Sequence, residues 1–457
     1  MSELRGIFGL NSDSMVPGAL HLEENGSFIL ELDDFIFQPE QLDMSKPNMV
    51  SYSGDPAKIV TDYLPRDIIG ILEDGQQITL FRALMQSPSF LFSPVRQTFH
   101  SSVYLTGAHL HGDRDYVDGL RWAWQLPANM NLERERSPVS VDGLIPGTLK
   151  AWTHNRFKGL QFTTFSPTPL RTLRNQVQHS SGQLLGLWSA RKVPQAARIE
   201  VLAGGSWHVL TVAEDDLTSR ARSSFMPDQD LTLSMFASWI PLARQIEPLH
   251  FILNGLTKTL QLDAQVLATG LEGLHRRLFE DRVRFEGISK RAVERAAREA
   301  RYAGVPALIL EGFADEKYAH TVFKEVLHHL NQVTYQNRVM EILLPVYKIV
   351  PSLFGPDLAR WVQMVKNIRN NESHQLTQEF NESSIAIYYV AVESCRWAMV
   401  LRILLQLCPE YDFQSSLARS ERFSYALANI DREELWPGFF ALDEFRAQTK
   451  GSESSAQ

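Results

Sequence analysis

The apolar residues of this chain change their spacing once. Up to about residue 228 they alternate with polar ones, and from about 229 they recur every three or four positions. The first spacing belongs to a strand with one buried face, the second to a helix with one buried stripe. The chain therefore has to build two cores of different kinds. Alternating runs lie at 28–33, 77–81, 102–106, 120–126, 161–165, 198–202 and 207–212. Glu24-Asn25-Gly26, Asp74-Gly75, Asp142-Gly143 and Gly204-Gly205 punctuate them as turns. Many short strands with turn residues between them predict an antiparallel sandwich or barrel, with no long amphipathic helix before residue 229.

Beyond 229 the helical stretches are 230–244, 256–278, 288–302, 315–331, 336–350, 356–369 and 384–408. In 256–278 the stripe is Leu260, Leu262, Val266, Leu267, Leu271, Leu274 and Leu278. The stretch 288–302 is so charged that it reads as a solvated face. Gly355 ends one element, and Pro356-Asp357 begins the next. Ser383 or Ser384 is the expected cap of the last long helix. The fold class expected is α+β multidomain: an antiparallel β-rich domain over 1–228, an all-α bundle over 229–445 and a disordered tail over 446–457. At 457 residues both domains are large enough for a core of their own.

Charge narrows the function classes. The net charge of −8 argues against broad non-specific nucleic-acid binding. It is unevenly placed: net −10 over 1–120, +6 over 121–225 and −4 over the remainder. The only two cysteines, Cys395 and Cys408, share one apolar helical stretch and read as reduced thiols. The opening residues lack the pattern of a signal peptide, and Glu393, Arg396 and Arg402 interrupt the most apolar helix. A cytoplasmic protein with no membrane partner is the expectation.

The sequence contains no P-loop, no dinucleotide fingerprint, no Gly-x-Ser-x-Gly elbow and no Cys-x-x-Cys pair. Histidine is the remaining lead, because it exchanges protons near neutral pH. The pattern Arg-Asn-x3-His occurs twice, as Arg174…His179 and Arg369…His374. The first copy lies in the β-rich half, among expected strands and loops. The second ends an amphipathic stretch, 358–365, and shortly precedes the longest apolar helix.

That second context resembles the HEPN superfamily of helical ribonucleases, and more specifically the Apea-like HEPN anti-phage proteins. Residues 6–10, 16–21 and 28–32 are similar to the opening of that family's β-rich domain, 268–277 to its helix ahead of the motif, and 365–374 to the Arg-Asn-x3-His element. Asn371 and Ser373 depart from the family's usual bulky and small residues. The resemblance implies a HEPN bundle and a metal-independent endoribonuclease of phage defence. It needs no cofactor, and its partners are an RNA substrate, a second copy bound through the bundle and a phage-derived activator at the N-terminal domain.

The residues fit that chemistry on their own terms. RNA is cut without metal when its 2′-OH attacks the adjacent phosphorus, which needs a base, an acid and a cation for the phosphorane. His374 can move protons, Arg369 can hold two phosphate oxygens in its planar fork, and Asn370 can orient either group. One histidine cannot easily be both acid and base. Five residues of ideal helix turn through about 500°, which leaves positions 369 and 374 about 140° apart. Either the helix breaks at Asn370-Asn371 or two chains bring their motifs together; the resemblance implies the second.

Rival readings stay open. A non-catalytic HEPN adaptor would use the same bundle. His109-Leu-His-Gly-Asp-Arg-Asp115 resembles the His-x-His-x-Asp-His run of metallo-β-lactamase-like hydrolases, so His109, His111 and Asp113 could serve a metal-dependent phosphodiesterase, although Arg114 replaces the final histidine and an exposed polar turn leaving a strand is the favoured account. Glu325, His328 and His329 form a partial metal set. Glu272 and His275, three apart, share a helix face and either line the cleft or fix packing. Trp122 and Trp124 share a strand face, as core or as a base-stacking platform.

Overall fold

The structure, a computed structural model, describes the chain except residues 1, 24–25, 41, 47–48, 53–54, 87–96, 111–114, 126–129, 131, 133–136, 190–191, 214–224, 257–258, 281, 375–381, 433–434 and 455–457. Within helices and strands, the side chains of 2, 42–46, 49–52, 58–59, 371–374, 382–384 and 450–454 also lie outside the description. Two compact units divide the chain, Met1–Arg244 and Gln245–Gln457.

The first unit begins with β1 (Ser2–Gly9), β2 (Met15–Leu22), β3 (Phe28–Leu32), a separate hairpin of β4 (Leu42–Lys46) and β5 (Met49–Tyr52), a short α1 (Pro56–Asp62), β6 (Arg66–Leu72), β7 (Gln77–Met85) and β8 (Gln97–Ser101). Strands run in the antiparallel order β8-β3-β2-β1-β6-β7, and β7 pairs back to β8 through Leu84↔His100 and Met85↔Phe99. That pairing closes a barrel, which removes open edges. Alternate residues fill it: Phe8, Leu20, Leu30, Ile68, Leu80 and Phe99 have no exposed surface.

β7 also starts a second structure. Its first half pairs with β9 (Val103–Thr106), through Ile78↔Thr106 and Leu80↔Tyr104. Arg82, at φ 50°, bends the strand between its two partners, and its N–H is held by Asp67 Oδ1 at 2.7 Å. From β9 the sheet continues through β10 (Tyr116–Trp124), β11 (Val139–Val141), β12 (Gly147–His154), β13 (Phe157–Pro169), β14 (Arg198–Ala203) and β15 (Ser206–Val212), in the order β9-β15-β14-β10-β13-β12-β11. One face carries Leu120, Trp122, Trp124, Leu160, Phe162 and Val201, all fully buried. Trp122 and Trp124 are therefore core residues, 6.0 Å apart and edge to face.

Against these strands pack α2 (Leu170–Leu173), a π-helical turn Arg174–His179 and α3 (Ser180–Ser189), one continuous helical run. This corrects the expectation of strands and loops around Arg174…His179. Ser180–Trp188 is buried on every side, so no stripe showed in the sequence. Its serines donate to carbonyls one turn back: Ser180 to Gln176 and Ser181 to Val177, both 2.6 Å. Then comes α4 (Leu233–Gln245), whose Phe236 stacks on Trp124 and whose Trp239 Nε1 donates to the Ser180 carbonyl at 2.6 Å. The first helix after residue 229 therefore packs with the β-rich unit.

The second unit holds α5 (Leu249–Asn254), α6 (Leu260–Leu278), α7 (Lys290–Leu310), α8 (Glu316–His328), α9 (Tyr335–Ile349), α10 (Leu358–His374), α11 (Glu382–Leu407), α12 (Phe413–Ala418), α13 (Glu421–Ile430) and α14 (Ala441–Ser454). α6, α9, α10 and α11 pack pairwise as a bundle, while α7 and α8 pair with each other. The bundle core takes Leu267 and Leu271 from α6, Val339, Ile342 and Val346 from α9, Trp361 and Val365 from α10, and Ala398, Met399 and Ile403 from α11. Trp361 Nε1 donates to Ser394 Oγ at 2.9 Å, which satisfies both polar atoms inside the core.

α10 starts where Asp357 accepts from the N–H groups of Ala359 and Arg360. Gly355, at φ 71°, turns the chain beneath the Trp436 ring. α11 begins at Glu382, ahead of both serines expected to cap it. α14 is helical through Ser454, so 446–454 form no disordered tail; Phe445 is buried, and Gln448 Nε2 donates to the Ile349 carbonyl at 3.2 Å.

Gly355→Ala should cost about 2–4 kcal/mol, because a Cβ there would sit 2.6 Å from the Trp436 ring and the backbone lies in the left-handed region. Gly204→Ala, at φ +57° with nothing within 4 Å, should cost about 1 kcal/mol. Urea midpoints of the two variants test the difference.

Candidate active site on helices α6, α9 and α10

The motif Arg369-Asn-x3-His374 forms the end of α10, and the helix runs through it without a break at Asn370-Asn371. Helical rotation then puts position 374 about 140° around the axis from position 369. Arg369 is half-buried, and Asn370 is exposed. The His374 side chain lies outside the described residues.

Arg369 reaches across to α6. Its Nη2 lies 2.8 Å from Glu272 Oε2, and its guanidinium carbon sits 4.7 Å from the centre of the Tyr335 ring. The ring is fixed in turn, since Tyr335 Oη donates to the Ala268 carbonyl at 2.9 Å. Burial raises the Tyr335 phenol far above its ordinary range, so it stays neutral. The guanidinium is thus held by a carboxylate on one side and an aromatic face on another.

Glu272 serves more than one cation. Its Oε1 accepts from Arg276 Nη2 at 2.8 Å, and Arg338 Nε of α9 lies 3.9 Å away. Arg338 is 4% exposed and donates from Nε to the Val333 carbonyl at 3.0 Å. Its Nη1 lies 3.1 Å from Nδ1 of the fully buried His275. A guanidinium can only donate, so Nδ1 must be the bare nitrogen. The ring proton is then on Nε2, which donates to Glu341 Oε2 at 2.9 Å.

This assignment makes His275 a neutral imidazole. Burial is the main cause, and it lowers the pKa below the ordinary value; Arg338 and Arg282 add to the effect while Glu341 opposes it. For Glu341 burial works toward protonation, yet hydrogen bonds from His275 and Arg282 outweigh it and hold the carboxyl below its ordinary range. Arg282 closes the chain, with Nη2 2.7 Å from Glu341 Oε1 and Nη1 2.6 Å from Glu286. One connected series of polar groups, charged except for the neutral His275, runs from Arg369 through Glu272, Arg338, His275 and Glu341 to Arg282.

Glu272 and His275 do share a helix face, and that face meets the motif arginine. Tyr335, Arg338 and Glu341 were not singled out from sequence. The available signal was Arg338, a cation beside the apolar stripe Val339, Ile342, Leu343 and Val346.

The rival histidines fare differently. His109 Nε2 lies 2.8 Å from the Gly70 carbonyl, while His111 and Asp113 lie outside the described residues. Glu325, His328 and His329 are exposed on α8 and just past its end. Among the described residues no group of three or more His, Cys, Asp or Glu could hold a metal ion. Cys395 and Cys408 are unbridged, and burial pushes the Cys408 thiol up to about 12. No helix among the described residues is long and apolar enough to cross a membrane.

Residues 266–412 match the model of the family described as Apea-like HEPN. The match covers about a third of the chain and runs from within α6 to the end of α11 and just beyond. It takes in Glu272, His275, Tyr335, Arg338, Glu341 and the whole Arg369–His374 motif, and it supports an RNA-related, nuclease role. No curated protein and no solved structure matches the chain.

The buried imidazoles make acid destabilising. His250 of α5 is pushed down to about 4 by burial, and His275 is lowered as well. Unfolding returns both to their ordinary affinity for protons, so the unfolded state binds more of them. Stability should be full above about pH 6.5 and fall as the pH drops toward about 4. Melting temperatures at about pH 7 and pH 5 check this, and His250→Leu should flatten part of the slope.

Proposed function

We propose that this HEPN protein is a metal-independent endoribonuclease of phage defence, with Arg369, Asn370 and His374 as its reacting group. The observation that carries the reading is the half-exposed Arg369 guanidinium, fixed by Glu272 on the end of a HEPN helix that also holds Asn370 and His374.

Arg369 would take two nonbridging oxygens of the scissile phosphodiester. Its pairing with Glu272 lowers the cost of keeping a cation half out of water before substrate arrives. When a phosphate draws Arg369 away, Glu272 keeps Arg276 and the nearby Arg338, so its carboxylate is not stranded. His374 would take the 2′-OH proton, and the alkoxide attacks the neighbouring phosphorus. A 2′,3′-cyclic phosphate forms as the 5′-oxygen leaves with a proton, giving a 5′-hydroxyl. Asn370 would orient the reacting groups.

An unbroken helix leaves the two motif positions about 140° apart, which favours completing the site with a second copy. HEPN domains commonly dimerise and bind RNA, and a paired site would provide one imidazole as base and the other as acid. Unrestrained cleavage would kill the host, so the β-rich unit would hold the site in check and receive the phage-derived trigger.

Purified protein should cut RNA in EDTA. His374→Ala and Arg369→Ala should each lower the rate by about two to four orders of magnitude with the fold intact by circular dichroism. Loss of cutting in EDTA together with loss in His109→Ala would favour the metal-dependent reading, and a folded protein that never cuts would favour the adaptor. A monomer mass in light scattering at full activity would remove the composite site. Sequencing RNA ends during infection, wild type against Arg369→Ala, tests the role in defence.

A further inference from the structure

The face of the open sheet opposite Trp122 and Trp124 carries an aromatic and cationic strip that the nuclease reading does not use. Arg121 is at its centre. Strand alternation points it away from the Leu120–Trp122 face, and its guanidinium carbon lies 4.8 Å from the Trp152 ring centre and 4.3 Å from that of Trp207. Three strands supply this sandwich: β10, β12 and β15. Gly159 stands opposite Trp152 in register, where a Cβ would collide with the Trp122 carbonyl, so β10 and β13 approach closely at this point. His154 lies 5.7 Å from Trp152, its ring tilted by 33°.

The sandwich is held from below. Glu200, directly opposite Arg121 in register, accepts from its Nε at 2.7 Å and also from Nη2, and Arg198 Nε lies 2.8 Å from the other carboxylate oxygen. Burial works against the Glu200 charge, but these hydrogen bonds outweigh it and keep the carboxyl below its ordinary range. The guanidinium is therefore locked in plane, and each indole gives it one face while remaining partly exposed. Around them are Lys150, exposed, and Gln161, and Phe165 is 64% exposed further along β13.

A sandwich built only for folding would serve best in the dry face, where Trp122 and Trp124 already are. Here two tryptophans, a histidine and a phenylalanine lie in contact with water. They alternate with Arg121, Arg198 and Lys150 around the Glu200 carboxylate, within 121–225, the one of the three divisions of the chain with net positive charge, at +6. Flat aromatic faces between cations on an open sheet match a single-stranded polynucleotide, whose unpaired bases expose π faces and whose phosphates run alongside. Duplex RNA buries those faces and does not fit.

We infer that this face binds single-stranded RNA, with Trp152, Trp207 and Phe165 stacking on bases and Lys150 and Arg198 meeting phosphates. The site does not depend on the Arg369 motif and stands whether or not the chain is a nuclease.

The test uses the full chain and a fluorescent oligouridine of about twelve nucleotides, 2′-O-methylated so that 2′-OH attack cannot consume it. Anisotropy should show binding that weakens steeply between about 50 and 200 mM salt. Phe165→Ala and Lys150→Glu, both at exposed positions, should weaken it about five- to twentyfold, and Trp207→Ala about tenfold or more, with unchanged melting for the first two. Absence of binding by the wild type overturns the inference. So does wild-type affinity in folded Phe165→Ala and Lys150→Glu, or displacement of the probe by duplex RNA as readily as by single strands. RNA cleavage, read separately on unmodified RNA, reports on the nuclease reading alone.

Discussion

The helical unit is organised around one carboxylate. Glu272 stands on α6 where α9 and α10 meet it, and the cations around it come from all three helices: Arg276, Arg338 and Arg369. A half-buried carboxylate with several cationic neighbours is stable only while they are present, and buried cations need the carboxylate just as much. The bundle geometry and the aim of Arg369 are therefore one property. Helix α6 could not rotate without stranding a charge.

The same constraint sets the state of His275. Arg338 leaves its Nδ1 no proton, and Glu341 draws the proton to Nε2. An imidazole so engaged on both nitrogens fixes helix positions and has no hand free for proton transfer. On the proposed nuclease reading the acid–base work would therefore fall to a histidine elsewhere, and His374 of the motif is the one proposed for it.

Much of the architecture was legible because the pattern that drives burial is local. The switch of period near 229 gave the class of each half, and Gly355 with Asp357 gave the start of α10 to within a residue or two. The failures have physical causes. Ser180–Trp188, the second half of the helical run 170–189, is buried on all sides and so has no polar stripe to betray it. α4 has a helical period, but its apolar face meets Trp124 of a strand, and periodicity does not name the partner of a face. Closure of the barrel through β7 and β8 joins residues with no local signature of pairing. At the site, Arg369 and Glu272 could each be noticed, yet their contact spans ninety-seven positions of chain and shows only in three dimensions.

Sharing β7 between two sheets has a mechanical consequence. Ile78–Leu80 are bonded to the open sheet and Leu84–Met85 to the closing strand of the barrel, with the bend at Arg82 between them. The strand works as a common rivet: prising the barrel apart pulls on the row of bonds that anchors β9. Amide exchange along both halves of β7 should then rise and fall in step, as a single cooperative opening.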